Sequence, residues 1–128
     1  MPRFITIGYG DRAGYDRTPS DIRKAAHDHD ATLTQRGVVM GIAGTPVQVR
    51  NPEDSGAQTQ AGPYLSSELP VAGFAIMEAR DIDEAIALAA KSPCAGAHGV
   101  IEVWPLNETG ASNSRKNGAP DTIRTCDR

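Results

Sequence analysis

VAGFAIMEA, residues 71–79, decides how the chain folds. In an extended strand, alternate side chains point to opposite faces. Val71, Gly73, Ala75 and Met77 therefore lie on one side, and Ala72, Phe74 and Ile76 on the other. Neither side is polar. An antiparallel strand with one wet face alternates apolar with polar residues, so this strand is expected to be covered on both. RFITIGY (3–9) and GVIEVWPL (99–106) behave alike: Phe4 alternates with Ile5 and Ile7, and Val100 and Trp104 oppose Ile101 and Val103.

Between these strands the signals become helical. TPSD (18–21) has the form of a capping box, with Thr18 as N-cap, Pro19 at N1 and Asp21 at N3. The helix it opens is predicted to run to about Arg36, where Gly37 can end it. DIDE (81–84) repeats the logic with Asp81 and Glu84, opening a helix over 82–91 that Pro93 stops. VVMGIAG (38–44) and PVQVRN (46–51) read as strand pieces broken at Gly44-Thr45-Pro46, whereas GDRAG (10–14) and PEDSGAQTQAGP (52–63) read as loops. The order is β-α-β-β-α-β with an extra hairpin arm around 46–60, an α+β chain of the ferredoxin-like type. Two helices cover one face of its sheet. The second face is then an apolar patch too large for a soluble monomer, and its simplest cover is a second copy of the chain. The expected assembly is a homodimer, a dimeric α+β barrel.

The 128 residues fit one domain, and the net charge is −3. No Lys/Arg stripe marks a nucleic-acid partner, and no basic amphipathic helix marks a membrane surface. Apolar runs fall far short of the roughly 18–20 residues of a bilayer span. MPRFITIGYG enters a strand directly, without the parts of a signal peptide, so a cytoplasmic protein is expected. Cys94 and Cys126 make neither a disulfide framework nor a metal spacing. No P-loop, dinucleotide fingerprint or nucleophile elbow is present, and no cofactor is expected. From residue 107, NETGASNSRKNGAPDTIRTCDR holds one aliphatic residue larger than Ala, Ile123. Such a stretch cannot bury enough apolar area to offset its ordering entropy. The expectation is therefore a folded domain over 1–106 and a disordered tail over 107–128. The run GAPDTIRTCDR also resembles the ending of chains whose reading frame has run into a transfer-RNA gene.

Candidate site residues follow from helical geometry. At about 100° per residue, Ile22, Ala26, His29 and Leu33 form the expected buried stripe, and His27 falls roughly opposite, with solvent. His29 is then either a hydrogen-bonded core histidine or a general acid/base, since imidazole titrates near neutrality. Glu102 shares a strand face with Val100 and Trp104, and Glu78 lies near a strand end; either could partner a histidine. Asp11 follows the first strand and is expected to stabilise a turn.

Six short motifs, in order, carry a resemblance. They are Tyr9-Gly10-Asp11, Leu33 with Gly37, Gly62-Pro63-Tyr64, Gly73-Phe74, Asp81-Ile82-Asp83-Glu84-Ala85 and Glu102-Val103-Trp104-Pro105. With the 11-residue step from Gly62 to Gly73, this series resembles the YCII-related family in its DGPF branch, over about residues 3–106. The resemblance implies a dimeric α+β barrel with a cleft between the first long helix, the Gly-Pro-aromatic loop and the sheet. Tyr64 becomes a cleft-lining ring or a plug of the barrel edge. His29 and Glu102 are the candidate catalytic residues, and Tyr64, Tyr9, Trp104 and Glu68 the candidate ligand-binding ones. Relatives have been proposed to use a His-Asp pair, one dehydrochlorinates an aromatic ring, and the DGPF branch is often associated with alternative sigma factors. This chain departs from the pattern at Ala61, in place of Asp, and at Ser66, Ser67, Glu68 and Leu69, in place of Glu, Thr, Lys and Glu. Ser92 stands where the family has an Asp. Two expectations follow. One is a dimer that binds a small organic molecule in a sensing or regulatory role. The other is a cofactor-independent lyase, isomerase or dehydrochlorinase-like enzyme with a histidine moving the proton.

Overall fold

The strand that opened the reading lies inside a sheet. In the computed structural model, which describes residues 1–107, β5 (Val71–Glu78) is hydrogen-bonded on one side to β2 (Val39–Ile42) and on the other to β1 (Arg3–Tyr9). β1 in turn pairs with β6 (Val100–Leu106), giving the order β2-β5-β1-β6 with every neighbour antiparallel. Helices α1 (Arg12–Asp16), α2 (Ser20–Gln35), α3 (Ile82–Ala90) and α4 (Pro93–Gly96) complete an α+β fold. β3 (Val47–Arg50) and β4 (Gln58–Ala61), joined through a 3-10 turn at Pro52–Asp54, form a separate two-stranded sheet. β4 lies in a segment predicted as loop; its alternating Gln-Thr-Gln carries no apolar signal, and backbone pairing to β3 makes it a strand. The tail reading lies outside the described residues. Among the described residues no helix is long and apolar enough to cross a membrane.

Register assigns the two faces. Phe4 opposes Met77, Thr6 opposes Ala75 and Gly8 opposes Gly73, and this row meets the helices. Phe4 and Met77 pack with Ala79 and Ala85 as the core, with Val38, Leu88 and Val103 against them. On the other face Ile5 sits between Ile76 and Trp104, and Ile7 between Phe74 and Glu102. Among the described residues that face carries no helix, and it bears large, partly exposed apolar side chains, as the strand pattern predicts: Phe74 is 50% exposed, Ile76 44% and Trp104 54%. Between Gly8 and Tyr9 the register slips, because Tyr9 opposes Val71 and leaves Ala72 as the extra residue of a bulge.

Helix boundaries follow capping chemistry. Asp81 accepts from the Glu84 amide at 2.9 Å, as predicted. Glu84 reaches back to the Arg80 amide at 2.7 Å, one residue before the partner of an ideal box. At the end of α2, the Gly37 amide donates to Thr34 O and the Val38 amide to Leu33 O, the paired bonds of a Schellman motif. Gly37 has φ +97°, which a side chain would strain. The start of α2 corrects the prediction. Thr18 does not cap it; its hydroxyl donates to Gly14 O at 2.7 Å. The reason is α1, an unpredicted short helix capped by Asp11, whose carboxylate accepts from the Gly14 amide at 2.9 Å. Pro19, with φ −55° and ψ 144°, then feeds the chain into Ser20. Pro93 likewise does more than stop a helix: it opens α4, with Ser92 as N-cap.

Candidate functional site

The core is short of large side chains. Most of its buried hydrophobic positions are alanines, among them Ala26, Ala75, Ala85 and Ala89. Where α2 and the α3–α4 corner cross the sheet, the facing positions include Gly8, Gly73, Ala75 and Ala89, too small to meet across the gap. Close packing is the norm for interiors, so small residues from several elements facing one another leave space. Here the result is a cavity of about 400 Å³, walled mainly by apolar groups such as Leu33, Met40 and Ile101. That volume suits a small organic ligand.

Its polar groups are few. Thr6 lies on the cavity floor, only 6% exposed, and its hydroxyl has no hydrogen-bond partner among the described residues. The oxygen is not shut away from the cavity, so it is open to a polar atom of a molecule placed there. Asp30, His27, Ser92 and the thiol of Cys94 also line the walls. Burial raises the pKa of Asp30, opposed by the histidine charges of His29 and His27. Burial also raises that of Cys94, and the nearby Asp30 charge adds to the effect. Both groups thus favour their neutral forms more than they do in water.

The two α2 histidines are employed differently. The ring of His29 reaches α3, where Nε2 lies 2.9 Å from Leu88 O and donates to it as the N–H tautomer. Leu88 is in the last turn of α3, where its carbonyl accepts only a 3.3 Å bond from the Lys91 amide among backbone donors, so the His29 bond ties α2 to the end of α3. His27 lines the cavity and shares a 3.1 Å hydrogen bond with the Tyr15 hydroxyl. The buried face of α2 is centred nearer Ala26 and Asp30 than the apolar residues suggest, and Ile22 is 46% exposed. With the inward face placed there, His27 stands at the flank of the cavity.

Tyr9, Glu102, Trp104 and Glu68 come together on the helix-free side of the sheet. The Tyr9 hydroxyl donates to Glu102 Oε1 at 2.6 Å and Trp104 Nε1 donates to the same oxygen at 3.4 Å. Glu68 is in the loop closing a cleft over Tyr9 and Glu102. The hydrogen bond to Glu102 leads, followed by burial and the Glu102 charge, in pushing the Tyr9 pKa up to about 12. The sheet therefore separates Glu102 from His29. Tyr64 joins neither group. It is 81% exposed beside the β3–β4 arm, with the Arg50 guanidinium 5.7 Å from its ring centre. Thr6, Asp30 and Cys94 were not singled out in the sequence. Asp30 could have been found, since it lies one turn from both Ala26 and Leu33, but Thr6 gives no signal until strand register is known.

An antiparallel sheet with helices on one face, and an open, mainly apolar cavity between the two layers, defines a small α+β protein. The family model for the YCII-related domain matches residues 3–109, and the chain belongs to that family. No curated protein matches it.

Proposed function

We propose that the protein binds a small, mostly apolar organic molecule carrying one polar group in the cavity between α2 and the sheet. The reading is carried by the roughly 400 Å³ cavity, walled mainly by apolar groups, with the Thr6 hydroxyl accessible on its floor and without a hydrogen-bond partner among the described residues. The ring of the guest packs against Leu33, Met40 and Ile101, and its hydroxyl or carbonyl bonds Thr6. The β-α-β-β-α-β unit is of the ferredoxin-like, DGPF-type kind. It pairs its apolar helix-free face with a second copy as a dimeric α+β barrel in the cytoplasm, in a sensing or regulatory role.

Thermal melting with a panel of small phenols, 4-chlorophenol among them, and with toluene as the apolar control tests the binding site. A ligand that binds only the folded state raises its melting temperature, so phenols are expected to raise it and toluene to raise it less. Ala75→Leu, which fills the cavity from β5, is expected to remove the effect. A panel without any stabilising phenol, or an undiminished effect in Ala75→Leu, overturns the proposal.

A second reading is favoured by His27 and Asp30 sharing the cavity wall. In it the protein is a cofactor-independent lyase or isomerase, and His27 accepts a proton from the bound substrate. Substrate turnover lost in His27→Ala, with ligand-induced stabilisation retained, distinguishes the enzyme from the binding protein.

A further inference from the structure

Cys94 gives the helix–sheet cavity a nucleophile that merely holding a guest does not require. It is a free thiol, half-buried in the cavity wall. α4 sets it against β1, where a methyl at Gly8 would stand 2.9 Å from Cys94 Sγ. The Gly99 amide donates to Cys94 O at 2.8 Å and fixes the backbone behind it. Thr6 and Gly8 are two residues apart on β1, so they share a face at a separation of about 7 Å. Sγ, standing where a Gly8 side chain would, and the Thr6 hydroxyl therefore border one space. Thr6 is independent of the thiol and itself points to a guest. Its residue is more than nine-tenths buried, yet its hydroxyl is open to the cavity and has no partner among the described residues.

We propose that the cavity captures α,β-unsaturated carbonyl compounds covalently: Cys94 Sγ adds to the β-carbon while the Thr6 hydroxyl holds the carbonyl oxygen, a role that rests on the cavity being a binding site. A hydrogen bond of about 2.8 Å at one end and an attack distance of about 3–3.5 Å at the other leave room for the short conjugated span between them. The hydrocarbon lies against Leu33, Met40 and Ile101. In the step the sulfur–carbon bond forms as the carbon–carbon π bond breaks, and the electron pair moves onto the carbonyl oxygen, to which Thr6 donates. Asp30, on the same cavity wall, takes the thiol proton and returns it to the α-carbon as the carbonyl re-forms. No group leaves, and no electrons pass to a third partner. Burial and the Asp30 charge raise the thiol pKa, so a reagent that is not held meets a neutral, poor nucleophile. Burial also raises the pKa of Asp30, which strengthens it as a base. Reaction is thereby reserved for a guest positioned beside both groups.

2-Cyclohexen-1-one is the probe, and cyclohexanone, which lacks the reactive double bond, is its control. Mass spectrometry of the full chain, with peptide mapping to separate Cys94 from Cys126, is expected to find one enone added at Cys94. The rate of that addition saturates as the enone concentration rises. Thr6→Val, of the same shape, slows it about tenfold, the rate equivalent of one lost hydrogen bond. Methyl methanethiosulfonate, which has no carbonyl, labels Cys94 equally fast in Thr6→Val and the parent, so the loss reads carbonyl binding and not access. Asp30→Asn also slows enone addition without slowing that labelling, and decides the test should Thr6→Val fail to fold. No adduct at Cys94, a rate that never saturates, or variants that add enone as fast as the parent overturns the capture. Thermal melts distinguish this failure from failure of the binding site. Cyclohexanone that stabilises the fold, with no enone adduct, leaves a binding cavity without capture. A ketone and an enone that neither stabilise nor label overturn both.

Discussion

Replacing His29 by Phe keeps an aromatic ring in the half-buried space between α2 and α3 but removes the nitrogen that donates to Leu88 O at 2.9 Å. A neutral hydrogen bond of this kind contributes about 0.5–1.5 kcal/mol net. Leu88 O keeps a second donor, the Lys91 amide at 3.3 Å, so its carbonyl is not stranded and the loss belongs in the middle of that range, about 1 kcal/mol. For a domain of this size such a loss lowers the melting temperature by roughly 4–8 °C. His27→Ala is the contrasting variant. Its ring is exposed and bonded only to the Tyr15 hydroxyl, so the cost stays within about 0.5 kcal/mol. Circular dichroism melts of both variants at neutral pH make the comparison. A His29→Phe protein that melts with the parent would refute the assignment of His29 to structure and return it to the candidate acid/base.

Three further outcomes follow from particular contacts. Tyr9 should titrate at about 12, above its ordinary 10.0, seen as the alkaline absorbance step that disappears in Tyr9→Phe, and Glu102→Gln should bring that step down. Because the folded-state value is raised, the stabilisation linked to Tyr9 is complete below pH 10 and is lost as the pH climbs from 10 towards 12. Asp81→Ala removes the acceptor of the Glu84 amide and is expected to cost about 1 kcal/mol in urea unfolding, the usual worth of an N-cap. Gly99→Ala should cost about 3 kcal/mol or more in the same assay. A methyl there would stand 2.7 Å from Cys94 O and closer still to Tyr9 O, both backbone atoms that cannot step aside cheaply.

What the sequence disclosed and what it hid divide along a physical line. Local chemistry was legible. Alternation in 71–79 placed Phe74 and Ile76 on the helix-free face and Ala75 and Met77 on the core, Asp81 announced α3, and Gly37 announced the end of α2. Features made by meetings between distant elements were not. The bond from Tyr9 to Glu102 spans 93 positions, and Glu102 in isolation is one carboxylate among many. The cavity exists because glycines and alanines of separate strands and helices face one another, which no single segment reveals. Thr18 misled because its hydroxyl had two plausible uses, and the one taken belongs to α1, too short to have a periodicity. His27 is exposed, as predicted, but its place beside the cavity was hidden because the stripe was judged from Ile22, Ala26, His29 and Leu33 alone. Asp30 and Arg23, half-buried on the same helix, shift its inward face.

The apolar, helix-free surface bearing Val39, Phe74, Ile76, Val100 and Trp104 underlies the whole account. Sedimentation equilibrium of the unmodified protein at micromolar concentration interrogates it most directly. The account predicts a mass twice the 13.5 kDa of one chain, reduced towards a single chain by Phe74→Glu. A monomer across that concentration range, with Phe74→Glu unchanged in mass, would contradict it.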